Sequence, residues 1–299
     1  MTTQMRMDPY REMPLSQHMR VPAPGRVYYV DAASSGAADA NDGTTPETAF
    51  LTIDYAIGQC TNLLDDYIFV IHHDDDTETY PITCDVSNVH IIGTPLAGTS
   101  RPRIRVQGGV DGFDVTANRV EIAGFNINTA VQGDTNRLVD LAVTANCLHF
   151  HDNYVAWNWW GYDGLYFNEG GSDSLINNNY FGAHGCSNYI VWTGSATGRV
   201  IFRDNVFILD GYQTGVRALN ITSLNRCVVV NNQFKVPALA NGEAISFMGE
   251  HNMATGNQAC GPQGGFGAFN PYLSTLDNAY DNAWGVNYAG ATPTLPIVA

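Results

Sequence analysis

The sequence has very little positive charge. Lys235 is the single lysine among 299 residues, and 14 basic against 29 acidic residues give a formal charge of −15 at pH 7. Binding to a phosphate backbone needs clustered Lys and Arg side chains, so this composition argues against a nucleic-acid partner. A neutral or cationic partner is compatible with it.

Long apolar runs are also absent. No stretch approaches the roughly 20 apolar residues of a membrane-spanning helix, so membrane insertion is not expected. The opening MTTQMRMDPYREMPLSQHMR never runs apolar for four residues and lacks the hydrophobic region of a signal peptide. We therefore expect synthesis in the cytoplasm without export.

The cysteines lack the spacing of a metal site. No pair has the C-x-x-C arrangement, which argues against a structural zinc site and favours mostly buried free thiols. We predict no cofactor and no bound metal. The six cysteines are Cys60, Cys84, Cys147, Cys186, Cys227 and Cys260.

Asparagine, by contrast, recurs at a regular interval. Strand-like segments such as VEIAGFNIN, LHFHDNYVA and VIFRDNVFI are each interrupted by an Asn, and six copies are separated by 27, 26, 26, 27 and 25 residues. The repeated positions are Asn126, Asn153, Asn179, Asn205, Asn232 and Asn257. Repeats of this length are the signature of a stacked architecture.

Each repeat contains short strands and turns but no helical pattern. An apolar run such as VDLAV or GLYF precedes each Asn by about 12 to 14 residues, and Gly, Asn, Asp and Ser separate the strands. This pattern predicts an all-β parallel β-helix, in which each repeat is one coil and equivalent residues stack about 4.8 Å apart.

Stacking predicts a structural role for the asparagines. Asn tolerates left-handed backbone geometry at a corner between strands. Its side-chain amide both donates and accepts, so stacked copies satisfy one another inside the protein. We therefore interpret the six residues as a structural ladder and not as catalytic groups.

Four segments divide the chain. Residues 1–26 hold five of the seven Met residues and four prolines but no core, and we interpret them as an extended anchoring arm, with a disordered tail as the alternative. Residues 27–65 are a strand and a capping helix, and residues 66–260 are the coils. Residues 261–299 are a C-terminal cap or tail.

The capping helix is predicted from its start signals. Thr45 is a suitable N-cap, Pro46 suits the first helical position, and Phe50, Ile53 and Ile57 share one face. Such a helix would cover the open end of the coil stack, where unpaired strand edges invite aggregation.

The order of these elements resembles a known superfamily. A strand, the segment DGTTPETAFLTIDYAI, a second strand, a turn reaching Tyr80 and then coils like NRVEIAGFNI are similar to the right-handed, single-stranded parallel β-helices of the pectin-lyase-like superfamily. The resemblance covers roughly residues 27 to 260. It implies the fold, but the superfamily includes polysaccharide lyases, hydrolases, phage tailspikes and virion proteins without activity.

Two groups of ionisable residues are candidates for chemistry. The segment HHDDDTETY, residues 72–80, could ligate a cation, but neighbouring strand residues point to opposite faces, and we interpret it as a turn. Asp152 and Asp204 each precede a repeated Asn two coils apart, which gives a separation of roughly 9.6 Å. That distance is marginal for an inverting glycosidase, so they are weak catalytic candidates.

A group of aromatic residues follows Asn153. Trp and Tyr beside carboxylates are typical of subunit interfaces and of glycan-binding surfaces, and internal packing is a third reading. The candidate contact residues are Trp157, Trp159, Trp160, Tyr162 and Tyr166.

These observations favour a structural protein of a virion over an enzyme. We expect a phage capsid decoration or a tail spike or fibre that forms a rigid surface projection. We expect it to be a homotrimer, held to other virion proteins by residues 1–26 and contacting a host surface glycan. The alternatives are a polysaccharide lyase or glycoside hydrolase, and a glycan-binding module without catalysis.

Overall fold

The computed structural model describes most of the coil region and part of each end. The described residues are 25–94, 100–106, 109–129, 137–157, 163–168, 170–184, 188–193, 198–210, 217–221, 225–235, 243–247, 251–260, 273–276, 283–284, 287–289 and 292–294. Almost all of the predicted arm, residues 1–26, lies outside them.

The chain is a mostly β parallel solenoid with one short helix, as the repeat predicted. Three sheets, which we call sheets 1, 2 and 3, run along the axis, and successive strands visit them in turn. The strand pairs are parallel, except that the last two strands of sheet 2 pair antiparallel. Residues one coil apart therefore lie directly beside each other.

Sheet 1 carries the residues on which the site depends. Its ten strands in the described chain are β1 (Val27–Asp31), β2 (Asp66–His72), β4 (Val89–Gly93), β7 (Val120–Ala123), β10 (His149–His151), β13 (Ser174–Asn177), β16 (Val200–Arg203), β19 (Val228–Val230), β22 (Met253–Thr255) and β25 (Ala283–Trp284).

The other two sheets complete each coil. Sheet 2 contains β5 (Arg103–Val106), β8 (Asn126–Thr129), β11 (Tyr154–Trp157), β14 (Tyr180–His184), β17 (Val206–Asp210), β20 (Gln233–Lys235), β23 (Gln258–Cys260), β26 (Asn287–Ala289) and β27 (Thr292–Thr294). Sheet 3 contains β3 (Ile82–Cys84), β6 (Phe113–Val115), β9 (Val139–Leu141), β12 (Asp163–Asn168), β15 (Asn188–Thr193), β18 (Arg217–Ile221), β21 (Glu243–Phe247) and β24 (Leu273–Leu276).

Alternation along the strands separates an apolar interior from a polar exterior. In β10 the flanking histidines are half-buried whereas Phe150 between them is fully buried. Inside sheet 2, Phe181, Phe207 and Phe234 stack with ring centroids 4.9 and 5.0 Å apart. The core is therefore continuous along the axis, because every coil packs on the next.

A column of asparagines lies at the corner between sheets 1 and 2. The backbone N–H of each of the first four members donates to the side-chain Oδ1 of the next at 2.9–3.0 Å. The side-chain amide nitrogen of every member donates to a backbone carbonyl one coil earlier, as in Asn179 to Phe150 O. All members are buried. They are Asn153, Asn179, Asn205, Asn232 and Asn257.

Asn126 does not belong to this column, contrary to the prediction. The register aligns Asn126 with Tyr154, so Phe125 occupies the equivalent corner position. The N–H of Phe125 donates to Asn153 Oδ1 at 3.0 Å and begins the column. Asn126 and Asn153 are 27 residues apart, but they do not occupy equivalent positions. Asn153 aligns with Phe125, one residue before Asn126.

Left-handed backbone geometry was predicted at the repeated asparagines themselves, but it occurs at the residue before each of them. The residue before each column Asn has a positive φ, between 54° and 68°. Asp and Asn tolerate this region well, and Gly adopts it freely. These corner residues are Asp152, Asn178, Asp204, Asn231 and Gly256.

A second polar column escaped the sequence analysis. At the corner that leads into sheet 1, each backbone N–H donates to a side-chain oxygen of the preceding coil at 2.9–3.3 Å. The column mixes Asn and Ser, and successive members are 25, 31, 28 and 26 residues apart. Because neither the residue type nor the interval is constant, the sequence shows no clear repeat at these positions. Its members are Asn62, Ser87, Asn118, Asn146 and Ser172.

The N-terminal cap differs in detail from the predicted helix. Thr45 does cap a helical turn, but this is a short 3-10 turn, Pro46–Thr48. The α-helix, α1, is Ile53–Gln59 and has Thr52 as its N-cap. Between the two, Phe50 is extended and pairs with Val30, so it lies outside the helix whose face it was expected to share.

The cap still covers the start of the core. Ile53, Ala56 and Ile57 are buried in the same apolar cluster as the first coils. Glu78 accepts hydrogen bonds from the N–H groups of Ile53 and Asp54 at 2.8 and 3.2 Å, where a carboxylate favours a helix N-terminus.

The stack continues past residue 260. Strands β24, β25 and β26 extend sheets 3, 1 and 2, although this segment has no Asn of the repeat. Within the described residues, Cys60, Cys84, Cys147 and Cys227 are free thiols. No helix among the described residues is long and apolar enough to cross a membrane.

Candidate functional site

Sheet 1 carries a cluster of ionisable side chains on its outer face. The register aligns His90 with Glu121 and Glu121 with His149, and His151 follows two residues later on the same face of β10. All four side chains are partly buried. We call His90, Glu121, His149 and His151 the histidine–glutamate cluster.

Glu121 is the centre of this cluster. Its Oε1 atom lies 2.6 Å from His151 Nε2 and 3.7 Å from His149 Nδ1. Its Oε2 atom is hydrogen-bonded to His90 Nδ1. One carboxylate therefore faces three imidazoles from two neighbouring strands.

A second set of contacts orients the imidazoles. His151 Nδ1 is 2.6 Å from Asp152 Oδ2, and His149 Nε2 is 3.0 Å from Asn177 Oδ1. The rings of His149 and His151 stack at 3.9 Å.

The His90 ring is held from the other side. It stacks on Tyr67 with centroids 4.2 Å apart and planes 10° from parallel. His90 Nε2 lies 3.8 Å from Asp65 Oδ1. Stacking and the two carboxylates together limit the orientations that this imidazole can adopt.

These contacts shift the pKa values in opposite directions. Burial raises the pKa of Glu121, but hydrogen bonds from His151 and His90 outweigh it and bring the pKa to about 2. Burial lowers the pKa of His151, but hydrogen bonds to Asp152 and Glu121 outweigh it and raise the pKa to about 9. Burial and the neighbouring charge of His151 lower the pKa of His149.

At neutral pH the cluster thus combines an ionised carboxylate, a charged imidazole and a neutral imidazole. Such a set can exchange a proton with a bound molecule or bind a cation. Among the described residues, one ligand atom from each of Glu121, His149 and His151 lies within 4.8 Å of the other two, so these three side chains could together hold a metal ion.

Asp152 and Asp204 do not converge. Both are corner residues with positive φ, 54° and 57°. Asp152 pairs with His151, whereas Asp204 Oδ2 lies 4.0 Å from Arg203 Nε on its own coil. Their shared sequence context therefore reflects a shared corner geometry, and of these two aspartates only Asp152 contacts the histidine–glutamate cluster.

The predicted aromatic surface is only partly described. Trp159, Trp160 and Tyr162 lie outside the described residues, and Trp157 is described by its backbone alone. Tyr166 lies on β12, and the guanidinium of Arg137 is 3.3 Å from its ring centroid.

Three side chains of the segment of residues 72–80, those of His73, Asp75 and Glu78, form a buried ion network. The imidazole of His73 is 1% exposed and lies 3.3 Å from Asp75 Oδ1 and 3.2 Å from Glu78 Oε2. Burial lowers the pKa of His73, but these carboxylates raise it to about 9 overall. Glu78 also caps α1, and Tyr80 Oη donates to Asp75 at 3.0 Å, so the segment joins the cap to the first coil.

Sequence reasoning missed the histidine–glutamate cluster. Its signal was present in VHIIG, VEIAG and LHFHD, where an ionisable residue occupies the outward position of an apolar strand. The separations along the chain hide their proximity, because His90 and Glu121 are 31 residues apart and meet only through coil stacking.

No family model matches the sequence, and no curated protein matches it. Solved structures with a similar course of the chain include a rhamnogalacturonan lyase, with 16% identity, TM-score 0.49 and coverage of 92% of this chain and 65% of that one. Others are a GH136 lacto-N-biosidase from Eubacterium ramulus, with 10% identity, TM-score 0.41 and coverage of 94% and 69%, and the Dettilon tailspike protein, with 15% identity, TM-score 0.35 and coverage of 92% and 70%.

The chain thus spans slightly less than two thirds of the length of the rhamnogalacturonan lyase. Its parallel β-helix fold has lyases, glycosidases and phage tailspikes among its structural neighbours, all at low identity. Similarities this distant assign no activity to this chain.

Proposed function

We propose that this chain is the rigid shaft of a virion surface projection, used as a phage capsid decoration or as a tail spike or fibre. Backbone pairing connects each coil to the next, and the asparagine column and the stacked Phe181, Phe207 and Phe234 add axial contacts along part of the stack. A rod with three independent sets of axial contacts resists bending, which a projection requires.

An apolar row on the outer face of sheet 1 carries the proposal. Four successive strands place Leu175, Ile201, Val228 and Met253 side by side in register. All four are partly exposed, and Ile201 and Met253 are each 39% exposed. The outward-facing positions of a strand are normally polar. Exposed apolar side chains that line up across several strands therefore mark an interaction surface.

The partner that suits this row is another copy of the same shaft. Parallel rods that pack along a straight row bury the same apolar side chains on every copy, as in a closed symmetric oligomer. We propose a homotrimer. Residues 1–26 would then anchor the shaft to other virion proteins, since this segment is rich in Met, which adapts to irregular grooves.

Light scattering of the purified chain tests the oligomer. The Ile201→Lys/Met253→Lys variant should dissociate to a monomer, because charges in the row cannot be buried without partners. Val143→Lys is the matched control, since Val143 is also exposed, at 56%, but lies on a sheet 3 turn. A monomeric wild type, or a double variant with the wild-type mass, would contradict the interface.

The virion role needs a separate test. A chain lacking residues 1–26 should keep its far-ultraviolet circular dichroism but fail to join particles in infected cells. Normal incorporation of the shortened chain would contradict anchoring by the arm.

A polysaccharide lyase or glycoside hydrolase is the second candidate function. It is favoured by the contact of His151 with both Glu121 and Asp152, a partly exposed arrangement with proton donors and acceptors. Incubation with bacterial surface polysaccharides, followed by assays of reducing ends and unsaturated products, tests it. Cleavage that is lost in His151→Gln and Asp152→Asn would replace the purely structural role.

A further inference from the structure

The spacing of three side chains in the histidine–glutamate cluster is close to that of metal ligands. Around a tetrahedral zinc ion with bonds of roughly 2.0–2.1 Å, neighbouring ligand atoms lie about 3.4 Å apart. Glu121 Oε1 is 2.6 Å from His151 Nε2 and 3.7 Å from His149 Nδ1. All three ligand atoms lie within 4.8 Å of one another, so changes of roughly 1–1.5 Å in partly exposed side chains bring them to tetrahedral spacing.

Hydrogen bonds outside this set direct the correct nitrogens inward. Asn177 Oδ1 accepts from His149 Nε2, which leaves the lone pair of His149 Nδ1 facing Glu121. Asp152 Oδ2 accepts from His151 Nδ1, which leaves His151 Nε2 facing the same carboxylate, and a metal ion would displace to solvent the proton that Nε2 shares with Glu121. Metal-binding histidines almost always donate their second N–H to a carboxylate or carbonyl oxygen in this way.

The carboxylate is held in place as well. His90 Nδ1 bonds Glu121 Oε2, and the His90 ring stacks on Tyr67. Glu121 Oε1 therefore remains directed toward the two imidazoles of β10. The backbone beneath is rigid, because β7 and β10 pair in register with Phe150 buried between the two histidines.

We propose that Glu121, His149 and His151 form a binding site for a divalent transition-metal ion, with Zn²⁺ as the best match. Two imidazoles and one carboxylate are zinc ligands, whereas Ca²⁺ and Mg²⁺ require mostly oxygen donors. Three protein ligands leave a fourth tetrahedral position for water or a partner's side chain. His149 lies beside Leu175, the first residue of the apolar row, but none of the four side chains of that row is a ligand of the site.

Calorimetric titration of the EDTA-treated full chain with ZnCl₂ tests the proposal. We expect about one high-affinity ion per chain in the wild type. His149→Gln, His151→Gln and Glu121→Gln should each weaken binding by more than about 100-fold, and Asp152→Asn, which removes a supporting hydrogen bond, by about 10- to 100-fold. His72→Gln is the matched control, because His72 also pairs with a carboxylate, Asp31, at 2.8 Å on the same sheet.

Two further measurements distinguish this site from other ligands. Co²⁺ should give a visible spectrum without the intense thiolate bands that cysteine ligands produce. Zn²⁺ should raise the melting temperature of the wild type and of His72→Gln but not that of His149→Gln/His151→Gln. Absence of stoichiometric binding in the wild type, undiminished affinity in the double variant, or thiolate bands would each overturn the proposal.

Discussion

The backbone N–H of Asn179 donates to the side-chain Oδ1 of Asn205, one coil further along, at 3.0 Å. The side-chain amide of Asn179 donates to the same oxygen at 3.1 Å. Asn205 repeats both contacts with Asn232. A single residue type thus satisfies its own polar groups and a backbone donor of its neighbour in the interior, where no water is needed.

Replacement of Asn205 should therefore be costly. Asn205→Leu would remove the acceptor of two hydrogen bonds and the donor of two more, leaving buried polar groups on both neighbouring coils. At 1–3 kcal/mol for each unsatisfied group, we expect a loss of about 3–5 kcal/mol in the free energy of unfolding, measured with denaturant. Gln233→Leu, at an exposed position of β20, should change it by less than about 0.5 kcal/mol.

The corner residues should respond to backbone conformation and not to charge. Asp204 has φ 57°, so Asp204→Gly should leave stability nearly unchanged, while Asp204→Val should lower it by about 1–2 kcal/mol. Thermal and denaturant unfolding measure both. Equal stability of the Val and Gly variants would contradict the corner role.

Two glycines form a matched pair for backbone packing. Gly124 has φ +81°, and a Cβ there would meet Gly93 O at 2.3 Å, so Gly124→Ala should destabilise by more than about 2 kcal/mol. At Gly58, in α1, a Cβ would meet nothing within 4 Å, and Gly58→Ala should stabilise by roughly 0.5–1 kcal/mol. Denaturant unfolding should show a lower free energy of unfolding for Gly124→Ala and a higher one for Gly58→Ala. Changes of the same sign would contradict the placement of one of the two residues.

Stability should fall in alkali through His151. Its pKa is raised to about 9 in the folded protein from an ordinary 6.5, so its contribution is complete below pH 6.5 and disappears as the pH rises through 9. Glu121 behaves oppositely, since its pKa of about 2 lies below the ordinary 4.5 and its contribution disappears as the pH falls through 2.

Denaturant unfolding of the metal-free protein between pH 6 and 10 measures the alkaline effect. His73 has the same direction of shift, so His151→Gln should retain part of the alkaline decline but lose the His151 part. A variant whose pH profile parallels the wild type would contradict the pairing of His151 with Glu121 and Asp152.

The period of the asparagines was readable in the sequence, but its exact register was not. Intervals of 25 to 27 residues predicted stacked coils, yet they assigned Asn126 to a column in which Phe125 stands. A shift of one residue changes an interval by only one, which lies within the natural variation of coil length. The pairing of Tyr154 with Asn126 fixes the register, because a shift of one residue would turn every side chain of the strand to the opposite face.

The helix signals were also real but allowed two solutions. Thr45-Pro46 and Thr52 both resemble N-caps, and local propensity does not rank them. Tertiary contacts decide between the two caps. Phe50 N donates to Tyr29 O and Asp31 N donates to Phe50 O, so this stretch stays extended and α1 begins only at Ile53.

The sequence by itself determined the architecture of this protein, since alternating apolar residues and regularly spaced asparagines are local patterns that specify one coil repeated. Only the tertiary structure decided which side chains meet across coils. His90, Glu121 and His149 are separated by about 30 residues each but lie side by side on sheet 1. The physical reason is that coil stacking brings together residues one turn apart, and turn length varies too much along the chain for the sequence alone to identify those partners.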